Sequence, residues 1–199
     1  KVHDIGAVRW DGAVYHGASK TELRKFLAQV DFVCGHNIIH HDAKYLFGEE
    51  KMRWQYVDTL YVSPLLFPER PYHKLLKDEK LQTDELNNPV NDCRKAKDLL
   101  MDELEKWRQL ADDKRAIFTA LLEKEREFAG FIEMAEGEDT QSHHDNSRSH
   151  VAILTKNTYK GKICGNADVE GLVRQHPIEL SYALALIDTT YHRSVTPGW

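Results

Sequence analysis

A carboxylate and an amide follow a short apolar segment in the first quarter of the chain. The stretch GHNIIHHD runs from Gly35 to Asp42 and comes directly after the residues FVC. A strand end presents side chains at a sheet edge, and the N-terminus of a following helix stabilises an anionic carboxylate. Carboxylate oxygens are the ligands that Mg²⁺ prefers. The motif therefore predicts a metal-binding Asp42, with the alternative that Asn37 is a helix cap and Asp42 an ordinary solvated residue.

A second polar group, NNPVND, occupies residues 87–92. Asn88 fits an N-cap and Pro89 fits the first position of a helix. Asp92 then lies near the helix start, on the flank of its apolar face, and is able to point across a sheet towards Asp42. The alternative is a capped helix with a solvated Asp92.

Structural roles are expected for two further sets of residues. Asp58 in YVDTL follows two apolar residues, which is typical of a turn or an N-cap, so a structural role is favoured over a catalytic one. His40 and His41 are expected to face solvent or pack. His143, His144 and His150 are expected to lie in a solvated loop, because a zinc site there would need an ordered scaffold.

The elements that must position these residues follow from local patterns in the first third of the chain. Asp11-Gly12 between two apolar runs predicts a β-hairpin. Residues 19–22 (SKTE) form a capping box, followed by apolar residues at helical spacing. The residues DFVCG predict a short buried strand, and a helix is expected through Ala43 to Phe47. In YVDTLYVSPLLF, Pro64 and Pro68 are expected to limit any helix.

The second half of the chain predicts helices around a polar segment. An apolar face of Cys93, Ala96, Leu100, Leu104 and Trp107 predicts a long helix, and another helical pattern runs from about Lys114 to Met134. No apolar residue occurs between Glu136 and His150, which predicts a linker or mobile loop. The helix in HPIELSYALALI is apolar nearly all round and must be buried or covered.

This order of elements predicts an α/β or α+β fold. The expected organisation is a main domain over residues 1–135, a polar linker over 136–150, and a small helical extension over 151–199.

Composition restricts the class of protein. The chain has 199 residues and a net charge of −5, which argues against broad coating by nucleic acid but leaves room for a local basic groove. No apolar run approaches the ~20 residues of a membrane span, so no membrane association is expected. Three widely spaced cysteines predict neither a zinc ribbon nor a disulfide scaffold, and they favour a reducing cytoplasm.

Taken in order, the motifs resemble the DEDD (DnaQ-like) 3′–5′ exonucleases, which have a ribonuclease H-like fold. GHNIIHHDAKYL is similar to the second exonuclease motif, with Asp42 on its acidic residue, and VDTL matches the stretch that commonly follows. NNPVNDCRKAKDLL is similar to the third motif, with Asp92 on its final acidic residue. DIGAVRWDG resembles the hairpin after the first motif. The resemblance covers roughly residues 1–110.

The resemblance implies a mixed sheet flanked by helices and a site for two Mg²⁺ or Mn²⁺ ions ~4 Å apart, held by four carboxylates. Asp42 and Asp92 would be two of these ligands. The substrate would be DNA, as a single strand or a 3′ end, contacted by His36, Asn37, Asn88 and Arg94. A solvated helix face is the alternative interpretation of Arg94 and its basic neighbours.

The chain departs from the family pattern in two ways. The Asp-x-Glu motif is expected on a strand ahead of Lys1, so the fragment as given is expected to bind metal poorly and to be inactive. The position of the family's general base, five residues before Asp92, is Asn87, and the position used by the Tyr-containing branch is Asn88. His73 is the nearest histidine in sequence and the candidate for this role, with the alternative that PYHKLL caps a helix or lies on the surface.

Three interpretations of the whole chain remain. PYHKLLKDEKLQTDELNNPVND and HPIELSYALALI…SVTPGW resemble bacterial proteins in which such a domain precedes a RecQ-like ATP-dependent DNA helicase. This implies a helicase domain in the same chain and roles in DNA repair and recombination. A second interpretation is a degenerate nuclease fold that serves as a DNA-binding or protein-docking module. A third is the His-Asp dyad of helical phosphohydrolases at His41-Asp42, against which the strand before Gly35 argues.

Overall fold

The computed structural model describes residues 4–48, 50–75, 88–137 and 148–189. Four short strands and nine α-helices lie within these ranges, which confirms the α/β class. The strands are β1 (Ile5–Val8), β2 (Val14–Gly17), β3 (Phe32–Gly35) and β4 (Gln55–Asp58). The helices are α1 (Lys20–Phe26), α2 (Ala43–Phe47), α3 (Thr59–Leu66), α4 (Pro89–Arg108), α5 (Asp112–Leu122), α6 (Ala129–Glu136), α7 (Arg148–Thr158), α8 (Val169–Gln175) and α9 (Pro177–Ile187). A π-helical turn over Ile38–Asp42 joins β3 to α2.

The strands form two pairs. β1 and β2 make the predicted antiparallel hairpin, in which Val8 pairs with Val14 and the Asp11 carboxylate accepts the Ala13 N–H at 2.9 Å. β3 and β4 are parallel, and Gly35 pairs with Asp58 at their carboxyl ends. The sequence predicted one mixed sheet, whereas the strands of the described ranges form two separate two-stranded sheets.

Helix α4 connects the two sheets. Its N-terminus has the predicted cap, because the Asn88 side chain accepts the Val90 N–H at 2.9 Å and Pro89 occupies the first turn. Its apolar face buries Ala96, Leu100 and Trp107. The helix packs against β1, β2 and β3, so one helix fixes the position of both strand pairs.

Two expectations about helix boundaries need correction. The single helix expected over Lys114 to Met134 is two helices, α5 and α6, because a turn at residues 123–128 brings Phe128 into the core. Helix α3 continues through Pro64 to Leu66. Burial of Val62 and Leu65 offsets the ~3 kcal/mol that a proline costs inside a helix.

The polar segment expected over residues 136–150 is shorter at both described ends. Residue 136 is the last residue of α6, and residues 148–150 form the first turn of α7. Residues 138–147 lie outside the described ranges.

Two apolar clusters form the interior. The smaller cluster lies between β1, α1, α2 and the π-helical turn, and it includes Ile5, Leu23 and Trp54. The larger cluster extends from β4 and α3 through α4–α6 to α7 and α9. Tyr182 of α9 donates its hydroxyl hydrogen to the Tyr61 carbonyl at 2.8 Å, so the C-terminal helices share this core. In the ranges given above, no helix combines the length and apolar character needed to cross a membrane.

Candidate functional site

One buried carboxylate organises the loop that contains the Gly35–Asp42 motif. Asp58 is fully buried and accepts the N–H groups of Asn37 at 2.7 Å and Ile39 at 3.0 Å. Its side chain also accepts the Leu60 N–H at 3.1 Å, which caps α3. The structural role expected for Asp58 is confirmed, and that role is to hold the motif loop against the end of β4.

The motif loop has an unusual backbone. Asn37 adopts a left-handed conformation with φ of 67°, which asparagine tolerates better than most residues. The π-helical turn then buries Ile38 and Ile39 and ends at Asp42, just ahead of α2. Single π-helical turns occur frequently at functional sites. Asp42 is half-exposed, and its carboxylate lies 3.2 Å from the His41 Nδ1.

A close approach between β1 and α4 positions Asp92. A Cβ atom at Gly6 would lie 2.5 Å from the Pro89 carbonyl carbon, so only glycine allows β1 to pass this near the helix start. The Cys93 thiol donates to the Gly6 carbonyl at 3.3 Å. Asp92 is exposed in the first turn of α4, close to the point where β1 passes the start of the helix.

The pKa of the Cys93 thiol depends in part on the charges of Asp42 and Asp92. Burial is the main cause that raises the pKa of the Cys93 thiol to about 11, and the charges of Asp92 and Asp42 raise it further. Both carboxylates are therefore close enough to act on one thiol, although they belong to different elements.

The donor chemistry at this edge suits Mg²⁺ or Mn²⁺, because both side chains offer carboxylate oxygens. No cluster of three or more His, Cys, Asp or Glu side chains in the described ranges has an arrangement that could hold a metal ion. Two carboxylates are fewer than the four that a pair of metal ions requires in this family. The described residues therefore do not complete such a site by themselves.

A second polar cluster lies along α3. The His36 Nδ1 lies 3.0 Å from the Thr59 hydroxyl, and the His73 Nδ1 lies 2.9 Å from the Ser63 hydroxyl. Burial lowers the pKa of His36, and the charge of Asp58 opposes this effect. Burial also lowers the pKa of His73, so both rings are neutral at pH 7.

His73 interacts with the groups around α3. The charge of Arg70 is the second cause that lowers the pKa of His73, and the charge of His73 in turn lowers that of His36. Neither Asp42 nor Asp92 is among the groups that shift its pKa.

Sequence reasoning missed Glu103. This residue lies on α4, is fully buried, and has no hydrogen-bond partner for either carboxyl oxygen within the described part of the chain. Burial raises its pKa to about 9, and the charge of Asp58 adds to this effect while Arg70 opposes it. The signal was present in the sequence, because residue 103 continues the apolar face formed by Ala96, Leu100 and Trp107.

The other predicted substrate contacts lie near the start of α4. The Asn88 side chain is engaged in the cap described above. The Arg94 guanidinium is exposed and donates to the Asn91 side-chain oxygen at 3.2 Å. Asn87, at the expected position of the general base, lies outside the described ranges.

Neither a family model, nor a curated protein sequence, nor a solved structure matches this chain. The resemblance to the DEDD exonucleases therefore depends on the residues and geometry of this chain alone.

Proposed function

We propose that this chain is part of a metal-dependent 3′–5′ exonuclease domain that acts on DNA, in a protein that also contains a RecQ-like helicase. The observation that carries the proposal is the position of the two motif carboxylates: Asp42 ends the turn that follows β3, and Asp92 is exposed in the first turn of α4, which packs against β1 and β3. A shared metal site requires these two carboxylates to lie close together at the ends of the strands.

The arrangement of the strands supports the proposal. Helix α4 packs against β1 and β3, so the two strand pairs lie beneath the same helix. One additional strand between β1 and β3 would join the pairs into a five-stranded mixed sheet of the ribonuclease H-like type. The resemblance assigns that strand, with its Asp-x-Glu motif, to residues ahead of Lys1. Its two carboxylates would complete the set begun by Asp42 and Asp92.

The residues of this chain would then have separate roles at this edge of the sheet. When bound, Mg²⁺ or Mn²⁺ ions supply positive charge that offsets the anionic phosphodiester. His36, Asn37, Asn88 and Arg94 are the proposed DNA contacts, and the exposed guanidinium of Arg94 suits a phosphate. His73 is the proposed base, because its ring is neutral at pH 7 and, in the tautomer whose Nδ1–H donates to the Ser63 hydroxyl, Nε2 is able to accept a proton.

The test is activity in a chain extended by an N-terminal strand that carries Asp-x-Glu. We expect it to degrade single-stranded DNA from the 3′ end with Mg²⁺ or Mn²⁺. Asp42→Ala and Asp92→Ala should each reduce the rate by more than about 100-fold, beyond the effect of changing residues that only support metal ligands. Asp98→Ala, an exposed change on the same helix, is the matched control and should retain activity. Undiminished activity in Asp42→Ala would refute the proposal.

A degenerate nuclease module is the second candidate. The asparagines at residues 87 and 88, where the family has its His or Tyr base, favour it. On this alternative, the extended chain would bind DNA equally well with and without EDTA and would show no turnover. The two candidates therefore differ in a single assay of binding and hydrolysis on the same preparation.

A further inference from the structure

A basic cavity of about 380 Å³ lies between the start of β4 and the start of α6. It is at the opposite end of β4 from Asp58, and the proposed function does not use it. The residues that matter for its chemistry are Lys51, Arg53, Trp54, Tyr56, Arg126 and Gly130.

The side chains of the basic cavity have excess positive charge. Lys51, Arg53 and Arg126 are exposed, and no carboxylate of the described ranges forms an ion pair with them. The acidic residue in the lining, Glu50, is paired with Arg24 at 2.6 Å. Among the described residues, three cations therefore line a polar space in which the one lining carboxylate, Glu50, is already paired with Arg24, and this favours an anionic ligand.

The N-terminus of α6 adds positive potential. Phe128, at the N-cap, provides no side-chain hydrogen bond to the first turn. Gly130 lies in the lining, and a Cβ atom there would be 2.2 Å from the Tyr56 carbonyl oxygen. Glycine thus lets the helix start approach β4, and the N–H groups of a helix start favour anions.

Two aromatic residues at the start of β4 contribute to the lining of the basic cavity. Trp54 is only 7% exposed, and Tyr56 is half-buried close to it. Burial raises the pKa of Tyr56, while hydrogen bonding by Trp54 and the charge of Arg126 lower it, so all three groups are neighbours.

We infer that the basic cavity binds a phosphate group, supplied either by a free nucleoside monophosphate or by the backbone of a DNA strand. Its volume lies in the range of small-ligand sites. Arginine and lysine provide the charge, and the N-terminus of α6 adds a favourable dipole. The inference does not depend on hydrolysis, because Asp42 and Asp92 are not part of the cavity.

The test is calorimetric titration of the 199-residue chain in EDTA with three probes: inorganic phosphate, thymidine monophosphate and a 12-nucleotide oligothymidylate. Arg53→Ala and Arg126→Ala should each weaken binding by at least about tenfold. Arg174→Ala, an exposed arginine on α8, is the matched control and should bind like the parent chain. The inference is overturned if no probe binds with a Kd below about 1 mM, or if the cavity variants bind like Arg174→Ala.

The probes also identify the source of the phosphate. Equal affinity for thymidine monophosphate and the oligonucleotide would indicate a nucleotide site. Tighter binding of the oligonucleotide would indicate a strand contact, provided that the Arg53→Ala/Arg126→Ala double variant lowers the salt slope by about 1.4, the value for two single-strand phosphate contacts.

Discussion

Glu103 is a fully buried acid on α4, and its carboxyl oxygens have no hydrogen-bond partner in the described ranges. Asp58 is close enough for its negative charge to raise the pKa of Glu103 further. Asp58 itself has three N–H donors, from Asn37, Ile39 and Leu60. The two buried acids therefore differ: Asp58 is held by hydrogen bonds, and Glu103 is held as the neutral acid by burial.

The first prediction concerns the pH dependence of stability. Because the folded-state pKa of Glu103 is about 9 and its ordinary value is 4.5, the folded state keeps a proton that the unfolded state releases. Its contribution to the free energy of unfolding therefore falls as pH rises between these values, by up to roughly 4 kcal/mol from pH 5 to pH 8. Glu103→Gln, which stays neutral, should remove most of this fall, as measured by urea unfolding at each pH.

Glu105→Gln is the control for that measurement, since Glu105 is exposed on the same helix. This variant should keep the pH dependence of the parent chain. An unchanged dependence in Glu103→Gln would contradict the assignment of a raised pKa to Glu103.

At the scale of elements, close backbone approaches fix the positions of α4 and α6. Gly6 lets β1 contact the start of α4, and Gly130 lets the start of α6 contact β4. Both contacts lie beside candidate sites: the first positions Asp92, and the second forms part of the basic cavity. Elements as short as these strands depend on such packing, because isolated two-stranded sheets are marginal in water.

The second prediction tests the contact between α6 and β4. Gly130→Ala places a methyl group 2.2 Å from the Tyr56 carbonyl oxygen, so the helix must move away from the strand. We expect a loss of about 2–3 kcal/mol in the free energy of unfolding, measured in guanidinium chloride. Gly165→Ala, where nothing lies within 4 Å of the added carbon, should change stability by less than about 1 kcal/mol. Equal effects of the two changes would show that the close approach is unimportant.

At the scale of the whole molecule, one core joins most of the helices. Leu184 of α9 is 1% exposed in the same cluster as Val57 of β4 and Leu100 of α4. The hydroxyl of Tyr182 also connects α9 to α3. The C-terminal helices and the strand-containing part of the chain should therefore unfold together.

The third prediction follows from this shared core. Leu184→Ala should destabilise the chain by about 2–5 kcal/mol and shift one cooperative transition, followed by circular dichroism and by tryptophan fluorescence. Leu186→Ala, on the same helix but 44% exposed, should cost less than about 1 kcal/mol. Separate transitions by the two probes in Leu184→Ala would instead indicate independent domains.

Local patterns in the sequence correctly predicted the elements whose structure depends on residues that are close together in the chain. The Asp11-Gly12 hairpin, the caps at Ser19 and Asn88, and the helix through Ala43 to Phe47 are present as predicted. Each depends on hydrogen bonds or spacing within a few residues. The apolar face of α4 is also present, because a period of 3.6 residues is visible in the sequence itself.

Only the tertiary structure decided the features that depend on distant residues. The break between α5 and α6 follows from burial of Phe128, and Asp58 holds a loop that begins some twenty residues earlier in the chain. The burial of Glu103, the shared influence of Asp42 and Asp92 on Cys93, and the convergence of Arg53 with Arg126 depend on how elements pack. Packing brings together residues that no local pattern relates, so the sequence determined the candidate groups and the fold determined which of them meet.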